Sequence, residues 1–280
     1  ADAGHNLSDV AGLLLAWGAA AMSKRAPSAK RTYGFGRSTI LASLANAMLL
    51  LAAAGAIVWE AAHRFAAPQA IQSWTVAGVA AAGILVNGLT AFLFFAGRRD
   101  DLNVRGAYLH MMADAAVSFG VVLTAIAVAL SGWLWLDPAI SIVIALVIVW
   151  GTWSLLSESA SLALDGVPRG VARTDVEAFL LSRPGVTALH DLHIWALSTT
   201  DTALTAHLVR PGAGLDDAFL KETATLLRER FDIGHSTFQI EHAPDCAGCA
   251  LVHAPPQDRR GHAHHGHDHA HHGHGHAHAL

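Results

Sequence analysis

Two stretches of the chain share one arrangement of side chains: HNLSD at residues 5–9 and HMMAD at residues 110–114, both H-x-x-x-D. On a helix, positions i and i+4 lie on one face, so each stretch aims an imidazole and a carboxylate the same way. Together His5, Asp9, His110 and Asp114 offer two neutral nitrogens and two carboxylate oxygens. That donor set suits a tetrahedral divalent cation, Zn²⁺ above all. The charges also balance, because two carboxylates cancel one dication. Such cancellation matters most where nothing else solvates the ion.

The elements that carry these motifs are apolar enough for this to matter. Of 280 residues, 53% are hydrophobic and 14% charged, a composition too apolar for an ordinary soluble chain. Uncharged runs occupy residues 38–59, 73–97 and 138–157. Residues 106–131 form a fourth run, interrupted only by His110 and Asp114. Each meets the length of about 20 residues needed to cross a hydrocarbon core of roughly 30 Å. Residues 10–23 complete a fifth span once the His5–Asp9 stretch is added. The prediction is an α-helical polytopic membrane domain over residues 1–160, with five spans. At 1.5 Å per residue, Asp9 lies roughly 20 Å and Asp114 roughly 14 Å from the cytoplasmic ends of their spans. The two carboxylates can therefore meet near mid-membrane if their helices are neighbours.

A single His–Asp pair in a spanning helix is also explained as a hydrogen bond across a bundle. Two matched pairs, with no other ionisable residue in the middle of any span, favour an ion pathway. Asn46 and Asn87 read instead as helix–helix hydrogen-bonding groups.

Orientation follows from the basic residues. SKRAPSAKRTYGFGR (23–37) carries five basic residues and no acid, and RRDDLNVR (98–105) carries three, whereas the other two connections hold a single Arg between them. The positive-inside rule puts the two basic loops, and everything after Ser157, in the cytoplasm. Trp59, Trp74, Trp133 and Trp135 then fall at the outer boundary. Residue 1 is thereby expected on the outer side, with one further span preceding it and six in all.

The paired H-x-x-x-D motifs, the loop KRTYGFGR (30–37), LDP (136–138) and LDGVP (164–168) together resemble the cation diffusion facilitator family, over essentially the whole chain. The resemblance implies that His5 and Asp9 stand on the second of six helices and His110 and Asp114 on the fifth. It implies that the four form the transport site, and His with Asp on both helices is similar to the zinc-preferring branch.

Past the spans the composition becomes mixed, and residues 167–253 read as a small α+β domain. T-x-x-E at Thr174–Glu177 is a capping-box pattern opening a helix that should end before Arg183-Pro184. Residues 186–197 and 202–209 are rich in β-formers around a polar turn, 215–231 has helical periodicity, and 236–242 alternates like a strand. The order α-β-β-α-β is compatible with an open-faced sandwich. The resemblance implies a ferredoxin-like cytoplasmic domain that forms a homodimer.

This domain holds a second set of candidate ligands: His190, His193, His207, His235, Glu241 and His242. Strict strand alternation puts His190 and Ile194 on one face and His193 on the other. By the resemblance, His190, His207, His235 and Glu241 match positions that hold regulatory zinc near the dimer interface, and His193 and His242 match less clearly. Cys246 and Cys249, the only cysteines, form a C-x-x-C that supplies half of a tetrahedral zinc shell. Too few for a disulfide framework, they are expected to draw remaining ligands from the neighbouring histidines. Residues 254–280 hold ten histidines between 262 and 278, a stretch with no apolar side chain larger than alanine, and read as a disordered metal-gathering tail.

The functional expectation is Zn²⁺ efflux across the inner membrane by proton-coupled antiport and alternating access, with Co²⁺, Cd²⁺ and Ni²⁺ as further candidate cations. Membrane lipid, a second protomer and protons are the expected partners, and nucleic acid is not one. An intramembrane metalloenzyme would need an open coordination position and a general base, and no H-E-x-x-H occurs. A metal sensor without transport would leave the intramembrane ligands without a role.

Overall fold

A computed structural model describes residues 2–66, 73–212, 214 and 216–243, and for residues 1–11, 13 and 73–77 no side-chain environment is given. Five long helices come first: α1 (Asp2–Ser23), α2 (Arg37–Ala66), α3 (Ser73–Phe94), α4 (Leu102–Ser131) and α5 (Leu136–Ala163). Among the described residues, α2, α4 and α5 are each long and apolar enough to cross a membrane on their own. The described apolar parts of α1 and α3, Leu14–Ser23 and Gly78–Phe94, are shorter. Each of those two helices has 22 residues, which at 1.5 Å per residue is about 33 Å. Large apolar side chains such as Leu85, Phe92, Leu130 and Trp150 point outward, an arrangement suited to lipid rather than water. Trp59, Trp133 and Trp135 are likewise exposed near the helix ends opposite the basic loops, the last two stacked at 5.9 Å.

Local chemistry sets the helix ends. The Asp101 carboxylate caps α4 by accepting the Asn103 amide at 2.7 Å, and Gly132 (φ 70°) ends it in the left-handed region that glycine adopts without strain. Pro138 lies in the first turn of α5, where its missing N–H removes no helical bond. The helices associate in two extensively packed pairs, α2 with α5 and α3 with α4. In the first, the Ser43 and Ser159 hydroxyls meet at 2.8 Å, both fully buried. In the second, Gly83 gives room to Ser118, whose hydroxyl would lie 3.0 Å from a β-carbon there. Small residues at contacts allow the close approach that lipid cannot drive hydrophobically.

Then follow α6 (Arg173–Leu181), β1 (Ala188–Ala196), β2 (Thr202–Val209), α7 (Asp217–Phe231) and β3 (Ile233–Glu241), the predicted order. The sheet runs β1-β2-β3, antiparallel between the first two and parallel between the last two, as the crossover through α7 requires. Val176, Leu180, Leu204, Leu208, Leu227 and Ile233 form its core between sheet and helices. The capping box expected at Thr174 does not form. The first helical residue is Arg173, so Thr174 is already inside the helix, and the N-cap Ala172 makes no side-chain bond.

α7 is capped by Asp216, which accepts the Phe219 amide at 2.9 Å. That bond, with the Arg210 guanidinium beside it, holds the Asp216 carboxyl below the usual carboxylate range. A depressed folded-state pKa stabilises the fold above the unfolded value, about pH 4, and the contribution is lost as pH falls through the folded value. Asp216→Ala therefore lowers the melting temperature of the domain at neutral pH, and the difference from the parent chain shrinks toward about pH 2. Thermal unfolding followed by circular dichroism at both pH values checks this.

Candidate metal centre

α4 carries His110 and Asp114 inward. His110 Nε2 lies 3.7 Å from Asp114 Oδ2, with side-chain exposures of 11% and 9%. This is the i, i+4 geometry expected from the spacing. α1, which carries residues 5 and 9, runs beside both α2 and α4, with Cα atoms of α1 and α4 within 8 Å of each other. The two motif-bearing helices are therefore direct neighbours, although the side chains of His5 and Asp9 lie outside the described residues. Asn46 of α2 is wedged between them and only 6% exposed. A β-carbon on Gly12 of α1 would stand 2.9 Å from its Oδ1, and one on Gly106 of α4 would stand 2.6 Å from its Nδ2. Gly12 lies three residues beyond Asp9 and Gly106 four before His110. Asn46 thus fills the space one turn from each motif.

The second set of ligands gathers on the sheet. His190, His207 and Glu241 each present a ligand atom within 4.8 Å of the others. They come from three strands: His190 is paired with His207 across β1 and β2, and Glu241 ends β3 beside Val209. Glu241 lies between the two imidazoles, Oε2 at 3.1 Å from His190 Nε2 and Oε1 at 3.0 Å from His207 Nδ1. His190 Nε2 and Glu241 Oε2 are both buried, yet their geometry is not that of a hydrogen bond. Buried polar atoms normally find partners. Two ligands held 2.0–2.1 Å from a tetrahedral zinc stand about 3.3 Å apart, which is the scale of these separations. The donor set therefore fits a divalent cation that both imidazoles and the carboxylate would share.

Strict alternation fails at this point, and the failure completes the site. The β1–β2 register shifts between His190 and His193, so that His190 faces His207 while His193 faces Thr205. One extra residue in β1 reverses the alternation, and His193 lies on the same face as His190, not the opposite one. Asp191, at the bulge, has φ 52°, a region where Asp is several-fold enriched among non-glycine residues. Its carboxylate reaches His193 Nε2 at 3.0 Å and lies 3.5 Å from His207 Nε2. With Nδ1 of His207 turned to Glu241, this leaves Nε2 for Asp191, the outer contact that orients a metal-binding imidazole. Asp191 was not among the predicted ligands. The signal was its place inside HDLH, where an Asp can take the positive φ that this bulge adopts.

His235 does not join this group. It pairs with Ala203 near the start of β3, six residues from Glu241, or about 20 Å along the strand. There its ring meets Tyr33 edge-on at 5.8 Å. The four-residue set expected from the resemblance thus divides into three residues at one end of the sheet and one at the other. His242 is described next to Glu241 but does not belong to the cluster. Cys246, Cys249 and the histidine-rich segment lie outside the described residues.

Residues 1–162 match the family model of the cation efflux transmembrane domain, and residues 168–243 that of the cation efflux protein cytoplasmic domain. The metal cation efflux system protein CzcD of Cupriavidus metallidurans is 40% identical over 244 residues, 87% of this chain and 77% of the relative. The zinc transporter ZitB of Escherichia coli is 33% identical over 273 residues, covering 95% and 85%. A cadmium, cobalt and zinc/H(+)-K(+) antiporter of Bacillus subtilis is 31% identical over 274 residues, covering 94% and 86%. The helical membrane domain, its paired His–Asp motifs and these matches lead to one conclusion: the chain belongs to the cation diffusion facilitator family of metal cation efflux proteins.

Proposed function

We propose that this chain exports Zn²⁺ from the cytoplasm across the inner membrane in exchange for protons, with His5, Asp9, His110 and Asp114 as the ligands that carry the ion. The observation that carries this reading is the buried His110–Asp114 pair on a helix directly beside the one bearing the matching motif. The zinc transporter and the antiporter among the relatives support the choice of ion and of coupling. The same donor set accepts Co²⁺ and Cd²⁺, which the antiporter relative's name includes, and Ni²⁺.

Metal binds only neutral imidazoles and ionised carboxylates, so metal and protons exclude each other at these four groups. With metal bound, the dication is cancelled by two carboxylates. With one proton on each carboxylate and both imidazoles neutral, two protons replace the dication and no charge remains. Neither form leaves a bare charge in the hydrocarbon layer, where each would be costly. Rocking of one helix pair against the other presents the ligands to each side in turn.

Residues 1–160 are the transport domain in this reading, and residues 167–253 a cytoplasmic domain that draws two protomers together. His190, His207 and Glu241 hold a regulatory cation there. His235, Cys246 and Cys249 contribute to metal handling apart from that trio, and residues 254–280 collect cations. The sheet face opposite α6 and α7 carries His190, His207 and Glu241, and the match to the cation efflux cytoplasmic domain supports the dimer.

The test is zinc uptake into proteoliposomes holding the purified chain. An imposed proton gradient drives uptake, and collapsing it with a protonophore reduces the initial rate at least about tenfold. Uptake that ignores the gradient removes proton exchange from the mechanism, and no uptake above protein-free vesicles removes transport.

A further inference from the structure

The turn between β1 and β2 is built as a rigid knob and inserted into the cytoplasmic end of the helix bundle. Leu197 N–H donates to the Asp201 carbonyl at 2.8 Å. The Ser198 hydroxyl accepts the Thr200 and Asp201 amides at 3.1 and 2.9 Å and donates to the Asp201 carboxylate at 2.6 Å. Ser198 is 5% exposed, unusual for a turn residue. Outside itself the knob touches two helices. The Thr199 amide donates to Thr39 Oγ1 of α2 at 3.0 Å, and Asn103 Nδ2 of α4 donates to Thr199 Oγ1 at 3.3 Å. Ala196 is 1% exposed within the apolar cluster of Ile40, Leu102, Leu155 and Leu162. Just before α2, a β-carbon on Gly36 would come within 2.6 Å of the Leu197 carbonyl oxygen, so only glycine fits there.

The two helices so joined belong to different packed pairs, α2 to α2–α5 and α4 to α3–α4, and the pairs also meet directly along α4–α5 and α2–α4. Rocking of one pair against the other must change the distance that Thr199 spans. Asn103 also lies on the same stripe of α4 as the transport motif: residues 103, 107, 110 and 114 recur at i, i+4, i+7 and i+11. Asn103 is about 10 Å from His110 along the axis. Cavities of about 450 and 490 Å³ flank the knob, the first lined by Ala20 and Ser23 of α1, Thr39 and His235. The knob therefore stands between two open cavities, each large enough for many waters, at the inner mouth of the path.

We infer that residues 197–201 form a clasp that ties the two helix pairs together at the cytoplasmic end and must let go during each transport cycle. The inference rests on the transport reading above, and assigns Thr39, Asn103 and Thr199 as positioning residues for it. The strands behind the clasp are the two that carry His190 and His207, so movement of the sheet reaches the knob directly.

A reversible lock tests this. Thr39→Cys with Asn103→Cys, the two residues that Thr199 bridges, is reconstituted and treated with a short methanethiosulfonate crosslinker, with the parent chain treated alike as the control for Cys246 and Cys249. Zinc uptake is expected to fall at least about tenfold on crosslinking and to return with reductant, recovery showing that the protein stayed folded. Uptake unchanged by a completed crosslink overturns the clasp, because a static contact can be fixed covalently without loss. If the reduced pair is itself inactive, Thr199→Cys paired in turn with Thr39→Cys and with Asn103→Cys locks each half of the clasp, and uptake unchanged by both completed crosslinks overturns it. Absence of uptake in the untreated parent chain contradicts the transport reading instead and is thereby distinguished from failure of the clasp.

Discussion

Asp114→Ala is expected to bring zinc uptake down about 100-fold or more, to the level of empty vesicles, while the purified protein keeps its helix content and elution volume. Asp114 is 7% exposed, on a helix flanked by lipid-facing apolar residues. With one carboxylate removed, a dication at the proposed site keeps a net positive charge. Insertion scales place an uncompensated charge at mid-membrane at about 2.5–3.5 kcal/mol. At about 1.4 kcal/mol per tenfold, that alone gives a factor near 100, before the lost metal–oxygen bond is counted. Asp114→Asn, close in volume but uncharged, is expected to fail as badly, which separates charge from packing. Uptake at the parent rate in both variants would falsify the assignment of Asp114 to the ion path.

The other large effect concerns the cytoplasmic cluster. His190→Ala and His207→Ala are each expected to weaken binding of one zinc per protomer by about 100-fold or more, read by isothermal titration of the full chain in detergent. With three described ligands, losing one leaves too few to compete with water for the ion. Asp191→Ala is expected to cost less, about 10- to 100-fold, because it removes only the outer partner of His207 and His193. An unchanged stoichiometry and affinity in both histidine variants would place the regulatory cation elsewhere.

The paired membrane motifs were legible from local spacing. A helix repeats every 3.6 residues regardless of its neighbours, so H-x-x-x-D fixes a shared face before any tertiary contact is known. Apolar runs of membrane length and basic loops are equally local, as is the succession α-β-β-α-β. The role of Asn46 was only half legible. Its burial in a span was evident, but that Gly12 and Gly106 cradle it depends on which helices are neighbours.

The cytoplasmic trio shows what lies beyond such reasoning. His190, His207 and Glu241 are far apart in the chain, and only the registers of β1–β2 and β2–β3 bring them together. Register is a non-local property, and a single extra residue reverses every side chain beyond it. The bulge at Asp191 did this, turning His193 to the face of His190 against the alternation. The same register carried His235 to the far end of β3. By itself the sequence determined the long apolar helices, the paired motifs and the order of elements, because each depends on a few adjacent residues. Only the tertiary structure decided which helices touch, which histidines share a face and where the β1–β2 turn is lodged. Those depend on strand register and helix packing, which no short stretch of residues encodes.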